Sequence, residues 1–415
     1  MMRITRWVWG SFFVLSLTQV AGAGEPWDYS GSIRAGGLTQ ERCFSGPRNE
    51  GTLGFWAGLG ARLSESTRVR LDGRAISSRH NSCDPPAFDL REAFFTVETG
   101  ALEFRAGRQL IRWGRVDAFN PTDQVGPHDY TLPVFDEQDQ RLGIFAASIG
   151  ATLAEFSVKA LWLPEFRPNY FPFPSLPPGV SLREARPDEA WNQWSVRVER
   201  MGSGFDASAS FFDGFDRNPD LGFHTSSLAG AEFALRHHRI RMLGADGAWV
   251  LGQFGARAEV AYVFTADRDG MDPMIKNSYF QSVLGLDRTF WESCNVNLQH
   301  MFRSVTRFTE YAGPDPVLRQ IAGEVALLAA QTRPSQHGIS LRIADRWFDD
   351  TLEAELGTAV WLADVDTVTR ARAAYSLTER VTGIVGAEIY RGKSRGTFGR
   401  LRALSTFYGE LRFLF

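Results

Sequence analysis

From Asp28 to the C-terminus the chain repeats one unit, a segment of roughly 9–13 residues in which apolar and polar side chains alternate before a turn. A β-strand sends successive side chains to opposite faces, so each such segment is two-faced. In Thr67–Ala75, Val69, Leu71 and Ala75 share one face, and Arg68, Arg70, Asp72 and Arg74 share the other. Arg257 and Glu259 alternate likewise with Ala256, Ala258, Val260 and Tyr262, and Glu353 and Glu355 with Leu352, Ala354 and Leu356. Arg370 and Arg372 alternate with Ala371, Ala373 and Tyr375. In a soluble sandwich the polar face would meet bulk water. In a membrane barrel it lines the lumen, and the apolar face meets lipid.

Turn lengths separate these two architectures. Tight turns are expected at Ser64-Glu65-Ser66, Thr99-Gly100, Gly150-Ala151 and Thr378-Glu379. They alternate with long connections at 39–50, 78–88, 113–138, 163–189, 214–236, 266–276, 304–335, 362–366 and 392–403. Short periplasmic turns alternating with long extracellular loops belong to outer-membrane barrels, and a sandwich has no reason to alternate them. The expected fold is therefore all-β, a transmembrane antiparallel barrel of about 18 strands, with 16 as the alternative. An even number returns the C-terminus to the periplasmic side. A barrel of that size encloses an aqueous channel unless something plugs it.

The N-terminus sets the compartment. Arg3 and Arg6 precede an apolar run from Trp7 to Val20, and Ala21-Gly22-Ala23 supplies a small-residue cleavage pattern. Residues 1–23 are expected to be a secretory signal peptide and 24–415 the barrel. The apolar run is shorter than the roughly 20 residues a spanning helix needs. A formal charge of −3 argues against a nucleic-acid partner. The mean hydropathy of −0.21 suits a barrel, in which half of each strand faces water.

The last segment agrees. Phe407, Gly409, Leu411, Phe413 and Phe415 alternate with Tyr408, Glu410 and Arg412. A final amphipathic strand ending in Phe resembles the signal by which the barrel-assembly machinery recognises its clients. Among the three cysteines, Cys43 and Cys83 fall in polar loops and admit a disulfide between neighbouring outer loops, with free thiols as the alternative. Cys294 opens a strand. No paired spacing suggests a metal site.

The densest segment is Gly107-Arg108-Gln109-Leu110-Ile111-Arg112-Trp113-Gly114-Arg115-Val116-Asp117-Ala118-Phe119-Asn120-Pro121-Thr122-Asp123-Gln124, continued by Pro127-His128-Asp129 and Asp136-Glu137-Gln138-Asp139-Gln140-Arg141. This pattern resembles a large, poorly characterised group of proteobacterial porin-like outer-membrane proteins, similar in layout to alginate-export-type barrels. Leu161-Trp162-Leu163-Pro164-Glu165-Phe166-Arg167-Pro168, the Gly244–Gly247 strand and Arg257–Tyr262 resemble the same group. The resemblance implies a barrel and a membrane, and it names no substrate.

Trp113, Phe119 and Tyr130 can anchor this segment to a wall, and Pro121, Pro127 and Pro133 stiffen it. Arg108, Arg112, Arg115 and Arg141 stand near Asp117, Asp123, Asp129, Asp136, Glu137 and Asp139. Opposed fixed charges beside a narrowing are how wide pores select solutes. Residues 113–138 are expected either to fold into the lumen as a constriction or to lie outside as a salt-bridged cap. Gly107, Gln109, Trp113, Gly114, Asn120 and Pro121 form its structural motif.

Alternation also turns Arg68, Arg70, Arg74, Arg105, Arg239, Arg241, Arg257, Arg342, Arg370, Arg372 and Arg412 inward. An Arg-lined lumen would favour anions. Glu92, Glu98, Glu103, Glu259, Glu353, Glu355, Glu388 and Glu410 face in as well, so cross-strand neutralisation is the competing reading. Asp267–Asp272 lacks the calcium-loop pattern and reads as a solvated loop, as do Asp213, Asp216 and Asp220. His237 and His238 adjoin on a strand and point to opposite faces.

The favoured function is a porin-like channel for diffusion of small hydrophilic solutes, with anions as one selectivity. The alternative is an export conduit for an envelope polysaccharide or other polymer, working with periplasmic partners. Expected partners are outer-membrane lipid, the solutes, the assembly machinery through Phe415 and, as an open question, further copies of the chain. No enzyme is expected: GxSxG, HExxH and Walker patterns are missing, and no nucleophile is nominated beside His128, His224, His300 or His337. A barrel sheathing a periplasmic electron carrier is a third class. The chain has no CxxCH, and no cofactor is expected.

Overall fold

The computed structural model describes residues 27–415 except 41–48, 78–87, 118, 131–136, 172–179, 228–229, 310–312, 315–318, 320–321, 324, 328 and 394–395. The signal peptide, Cys43, Cys83 and Asp136 lie outside the described residues.

Amphipathic segments cannot bury their apolar face in a helix of lipid-spanning length, and among the described residues no helix is long and apolar enough to cross a membrane. They pair instead. The first eight strands are β1 (Trp27–Gln40), β2 (Asn49–Arg62), β3 (Thr67–Ile76), β4 (Phe88–Thr99), β5 (Leu102–Gln109), β6 (Ile144–Leu153), β7 (Phe156–Trp162) and β8 (Val180–Ala185). Next come β9 (Trp194–Gly202), β10 (Phe205–Phe215), β11 (Asp220–Ser227), β12 (Gly230–Arg236), β13 (Arg239–Leu251) and β14 (Phe254–Phe264). The last are β15 (Tyr279–Phe290), β16 (Cys294–Val305), β17 (Ser335–Trp347), β18 (Leu352–Trp361), β19 (Asp366–Thr378), β20 (Val381–Arg391) and β21 (Thr406–Leu414).

Eighteen of these form one antiparallel sheet that closes through β1 and β21. That settles the strand number at eighteen. At the seam Phe415 exchanges two backbone hydrogen bonds with Gly31 (3.0 and 3.1 Å), and its ring stacks 6.0 Å from Phe55. A Cβ at Gly31 would lie 2.4 Å from the Phe415 ring, so the seam requires glycine there. The remaining strands, β8, β11 and β12, make a small separate sheet within the long connections.

Long and short connections alternate around the ring except at β18, where the expected long connection 362–366 is a four-residue turn, 362–365, no longer than the turn 348–351 at the other end of the strand. One predicted turn is displaced. Gly150 and Ala151 continue β6, and the chain reverses at Ala154-Glu155, where Ala154 takes φ +52°. Alternation carried no mark of the strand's end, because Thr152 and Leu153 extend it unchanged.

The outer surface is apolar. Leu284, Leu286 and Leu298 are about half exposed, as are Ile149 and Leu411, a burial pattern that would be untenable in water. Trp291, Phe348 and Trp347 stand exposed at the short-turn end, and Trp162 and Trp194 toward the long-loop end, as interfacial aromatic girdles do. The molecule is a membrane-spanning β-barrel. Inside, Arg342–Glu355 (2.8 Å), Arg370–Glu388 (3.0 Å) and Arg412–Glu410 (2.9 Å) pair along the wall.

This division of faces is testable at mid-span. Leu284→Arg on β15 should destabilise the barrel by about 2–4 kcal/mol in reversible unfolding from lipid vesicles, the range for arginine at the midplane. Asn295→Arg, on the half-buried inner face of the neighbouring strand β16, should cost much less.

Candidate functional site: a strap across the lumen

Residues 110–143 leave the top of β5 and return to β6, folding inward on the way. Gln109 is buried and donates from Nε2 to the Ala146 carbonyl (2.9 Å), fixing the point of departure. Ile111, Trp113 and Val125 then join Ile144, Ala146, Leu163, Phe212, Met242 and Val263 in one apolar cluster along the inner wall. Gly114 reverses the chain at φ +91°, where a Cβ would fall 2.0 Å from Asn120 Oδ1. Asn120 Nδ2 donates to the Trp113 carbonyl (2.6 Å), and Gln124 Nε2 to that of Pro121 (3.1 Å). The Trp-Gly and Asn-Pro parts of the motif are thus one closed turn, and only glycine fits its tight point.

The far end of this strap is held by Glu259 of β14, which is fully buried. Its Oε2 accepts the backbone N–H groups of Arg115 (3.0 Å) and Val116 (3.4 Å). Its Oε1 accepts the Thr122 N–H (2.8 Å) and hydroxyl (2.9 Å). Beside it Arg115 donates to Asp246 of β13 (2.8 Å), approaches Asp206 of β10 (3.5 Å) and pairs with Glu199 of β9. Asp117 takes Arg257 of β14 (3.3 Å) and Asn297 of β16 (2.7 Å). Burial pushes the Asp117 carboxyl upward, which Arg257 and Arg342 partly oppose.

The near end is held on the opposite side of the ring. Asp139, on the 3-10 turn Glu137–Gln140, pairs with Arg34 of β1 (2.5 Å). Arg74 of β3 donates to the Asp139 carbonyl, and Arg91 of β4 to that of Gln138 (3.0 Å). Burial alone would raise the Asp139 carboxyl, yet Arg34, Arg91, Arg412 and Arg74 together hold it below the usual carboxylate range. Removing several ions from water costs several kcal/mol each, and only such multiply paired geometry offsets it.

The predicted site residues divide accordingly. Arg115, Asp117, Asp123, Asp129 and Arg141 lie buried or half-buried in the strap, with Arg141 on Asp123 (2.6 Å). Trp113 and Phe119 are buried, Phe119 against Trp361 (5.5 Å), and Tyr130 stacks between His128 and Phe171. Arg70 pairs with Asp28 (3.4 Å), Arg74 with Asp89 (3.3 Å), and Arg372 faces inward with no ion pair among the described residues.

Arg108 departs from expectation. It shares the outward face with its register partner Phe145 and pairs with Glu165 (2.9 Å), outside the strap. Arg239 and Arg241 also face out, sharing Asp213 at 2.5 and 2.9 Å, because the buried Ile240 and Met242 take the inner face. Asp213, Asp216 and Asp220 are buried, not solvated. Asp216 and Asp220 hold the buried Lys276 at 2.9 and 3.5 Å. His237 and His238 form the link between β12 and β13 instead of strand; His237 bonds Glu184 (2.5 Å) and His238 bonds Asp220 (2.8 Å). Glu259 was visible only as one ordinary inward charge, and Asp246 and Arg34 were not singled out at all.

Above the strap lies a polar cavity of about 120 Å³ bounded by Arg112, Asp117, Asp123, His128, Tyr130, Arg141, Arg217, Lys276 and Arg303. Burial, aided by Arg141, pushes the His128 imidazole down to about 4, so it is neutral here.

No family model matches the chain, and no curated protein matches its sequence. Among solved structures it is similar to OmpF of Salmonella typhi in complex with daunomycin (10% identity, 94% of this chain and 97% of that one, TM-score 0.47). It is similar also to a mutant of Rh. blastica porin (11%, 94% and 100%, 0.46). A loop-deletion form of OmpT, an outer membrane protein of Vibrio cholerae, aligns at 10%, 94% and 99%, with a TM-score of 0.41.

Two outcomes follow for the strap. Glu259→Leu leaves four donors without their acceptor, each costing about 1–3 kcal/mol. It should expose Arg112 and Arg115 to trypsin while the barrel stays folded in detergent, and Glu259→Gln should do so less. His128 is protonated in the unfolded chain below about 6.5 but not in the folded one. Its stabilisation is therefore complete above that pH and is lost as pH falls toward 4. Melting temperatures at pH 7 and 4.5 should differ less in His128→Gln than in the parent.

Proposed function

We propose that the chain is a channel through which small hydrophilic solutes cross the outer membrane, with residues 110–143 as its constriction. What carries this reading is the strap's attachment by buried polar contacts to nearly opposite walls, β14 with β16 and β1 with β3, of one closed barrel. A segment held at both ends subdivides the lumen permanently, so solutes are sorted by size at a fixed aperture. Wall charges that neutralise one another across strands contribute little net field. Charge selection then falls to the groups nearest the strap.

A polymer-export conduit is the second reading. Phe119, Trp361, Tyr390 and Phe398 pack together inside the barrel with Leu401 and Leu404, and they obstruct that side of the lumen.

Planar-bilayer recording separates the two. The refolded protein is expected to conduct at rest, and replacing residues 113–138 by a short Gly/Ser linker should raise its single-channel conductance severalfold. A parent that is silent until the strap is removed would favour the conduit. Equal conductance with and without the strap would eliminate the constriction.

A further inference from the structure

Two outward arginines share a single carboxylate at the long-loop ends of β10 and β13. Arg239 and Arg241 each reach the buried Asp213 through Nε, at 2.5 and 2.9 Å, and their side chains are 32% and 55% exposed. Their Nη groups have no hydrogen-bond partner among the described residues. The cluster therefore keeps one uncompensated positive charge, and its free donors are accessible. Arg268, exposed in the connection after β14, adds a third guanidinium with no ion pair among the described residues. It lies 5.9 Å from the ring centre of Phe264, the register partner of Arg241. Of the acids beside Arg268, Asp269 is taken by Arg307, and Asp267 accepts the N–H groups of Met271 (3.2 Å) and Asp272 (3.0 Å).

Toward mid-span the same face becomes hydrocarbon. Leu243, two residues on from Arg241, is 52% exposed, and its register partner Phe211 packs against Trp194 (4.8 Å). Trp194 is in turn the register partner of Asp213. The arginines thus stand where the apolar belt ends, a depth that lipid headgroups occupy. A phosphate offers several oxygens to a guanidinium edge, and an anionic headgroup brings no cation of its own. Phe215, 5.7 Å from the Arg239 guanidinium, and Phe264 each support one face of their arginine and leave its edges clear. A second copy of the chain is a poorer occupant, because the outward acids Glu165 and Glu155 are already paired with Arg108 and Arg200.

We infer that Arg239, Arg241 and Arg268 form a docking site on the outer wall for the phosphate headgroup of an anionic membrane lipid, whose acyl chains run down the wall over Leu243. The site is independent of what the lumen conducts. It is also confined to one rim. Arg200, outward at the short-turn end, is matched one to one by Glu155 (2.8 Å) and has no such surplus.

The test is native mass spectrometry of the full mature chain in neutral detergent. The chain is titrated with dioleoyl phosphatidic acid, with dioleoylglycerol, which lacks only the phosphate, and with inorganic phosphate. Phosphatidic acid should bind saturably, and dioleoylglycerol at least about tenfold more weakly. Arg241→Gln and Arg268→Gln should each weaken phosphatidic acid about fivefold, the worth of one arginine beside an anionic headgroup. Asp213→Asn removes the competing carboxylate and should tighten binding, which loss of a merely structural ion pair would not do. Arg200→Gln should bind as the parent does. Should Asp213→Asn fail to show the heat-modifiable gel shift of a folded barrel, Arg268→Gln, altered only at an exposed loop side chain, carries the comparison. Equal binding of the two lipids, unchanged binding in both arginine variants, or displacement of the lipid by an equal concentration of inorganic phosphate would overturn the site. Oligomers that form without lipid and vanish in Arg241→Gln would give the patch to a second copy and overturn it as well.

Discussion

Closure of the backbone hydrogen-bond ladder is the constraint on which this structure depends. Each of the eighteen wall strands has two antiparallel neighbours, and the seam between β1 and β21 completes the ring. In hydrocarbon an open edge would strand a row of N–H and C=O groups at several kcal/mol each. The C-terminal Phe415 closes that row with its own backbone and covers it with its ring. Once the wall is closed, its outside admits only apolar side chains. Every charge the strands carry at mid-span must turn inward, and there it must find a partner or water.

The strap exploits that supply of inward charge. A loop entering a wide lumen has no apolar core to join except the wall's own inner face, and residues 110–130 find one beside β6 and β10. Apolar contact alone would let the loop slide. Glu259 and Asp139 give it fixed positions instead, the first gathering backbone N–H groups and the second gathering arginines. Glu259 behaves toward the strap as a capping carboxylate does toward a helix start, satisfying several donors that face one point. Because β14 and β1 lie on opposite sides of the ring, deformation of the wall and displacement of the strap are coupled.

Much of the wall was legible in the sequence, and much of the strap's chemistry was not. Period-two alternation located the strands, and unequal turns identified the architecture, because both follow from local chain geometry. Charge misled at two strand ends. Arg108 was expected at the constriction from its place in the motif, although alternation from Arg105 sends it outward, and there it pairs with Glu165. Ile240 and Met242 claim the inner face of β13, so Arg239 and Arg241 point out although arginine was expected within. Asp216 and Asp220 look like loop acids until Lys276, far along the chain, is brought between them. The motif's glycine and asparagine were conspicuous by type, yet their mutual contact depends on a turn that spacing alone does not specify. Glu259 gave no signal at all, being one inward glutamate among eight.

The lumen that results is uneven. Toward β18 to β20 its upper part holds a packed apolar cluster built on Trp361, Tyr390 and Phe398, while lower wall charges pair across strands. Paired charges cancel at a distance beyond their own separation, so a solute in mid-channel feels little of them. Charges of the strap are paired in the same way, Arg115 with Asp246, Asp117 with Arg257 and Arg141 with Asp123. Those that reach β13 and β14 therefore act first as fasteners, and the inward charge of the wall serves to hold the strap still.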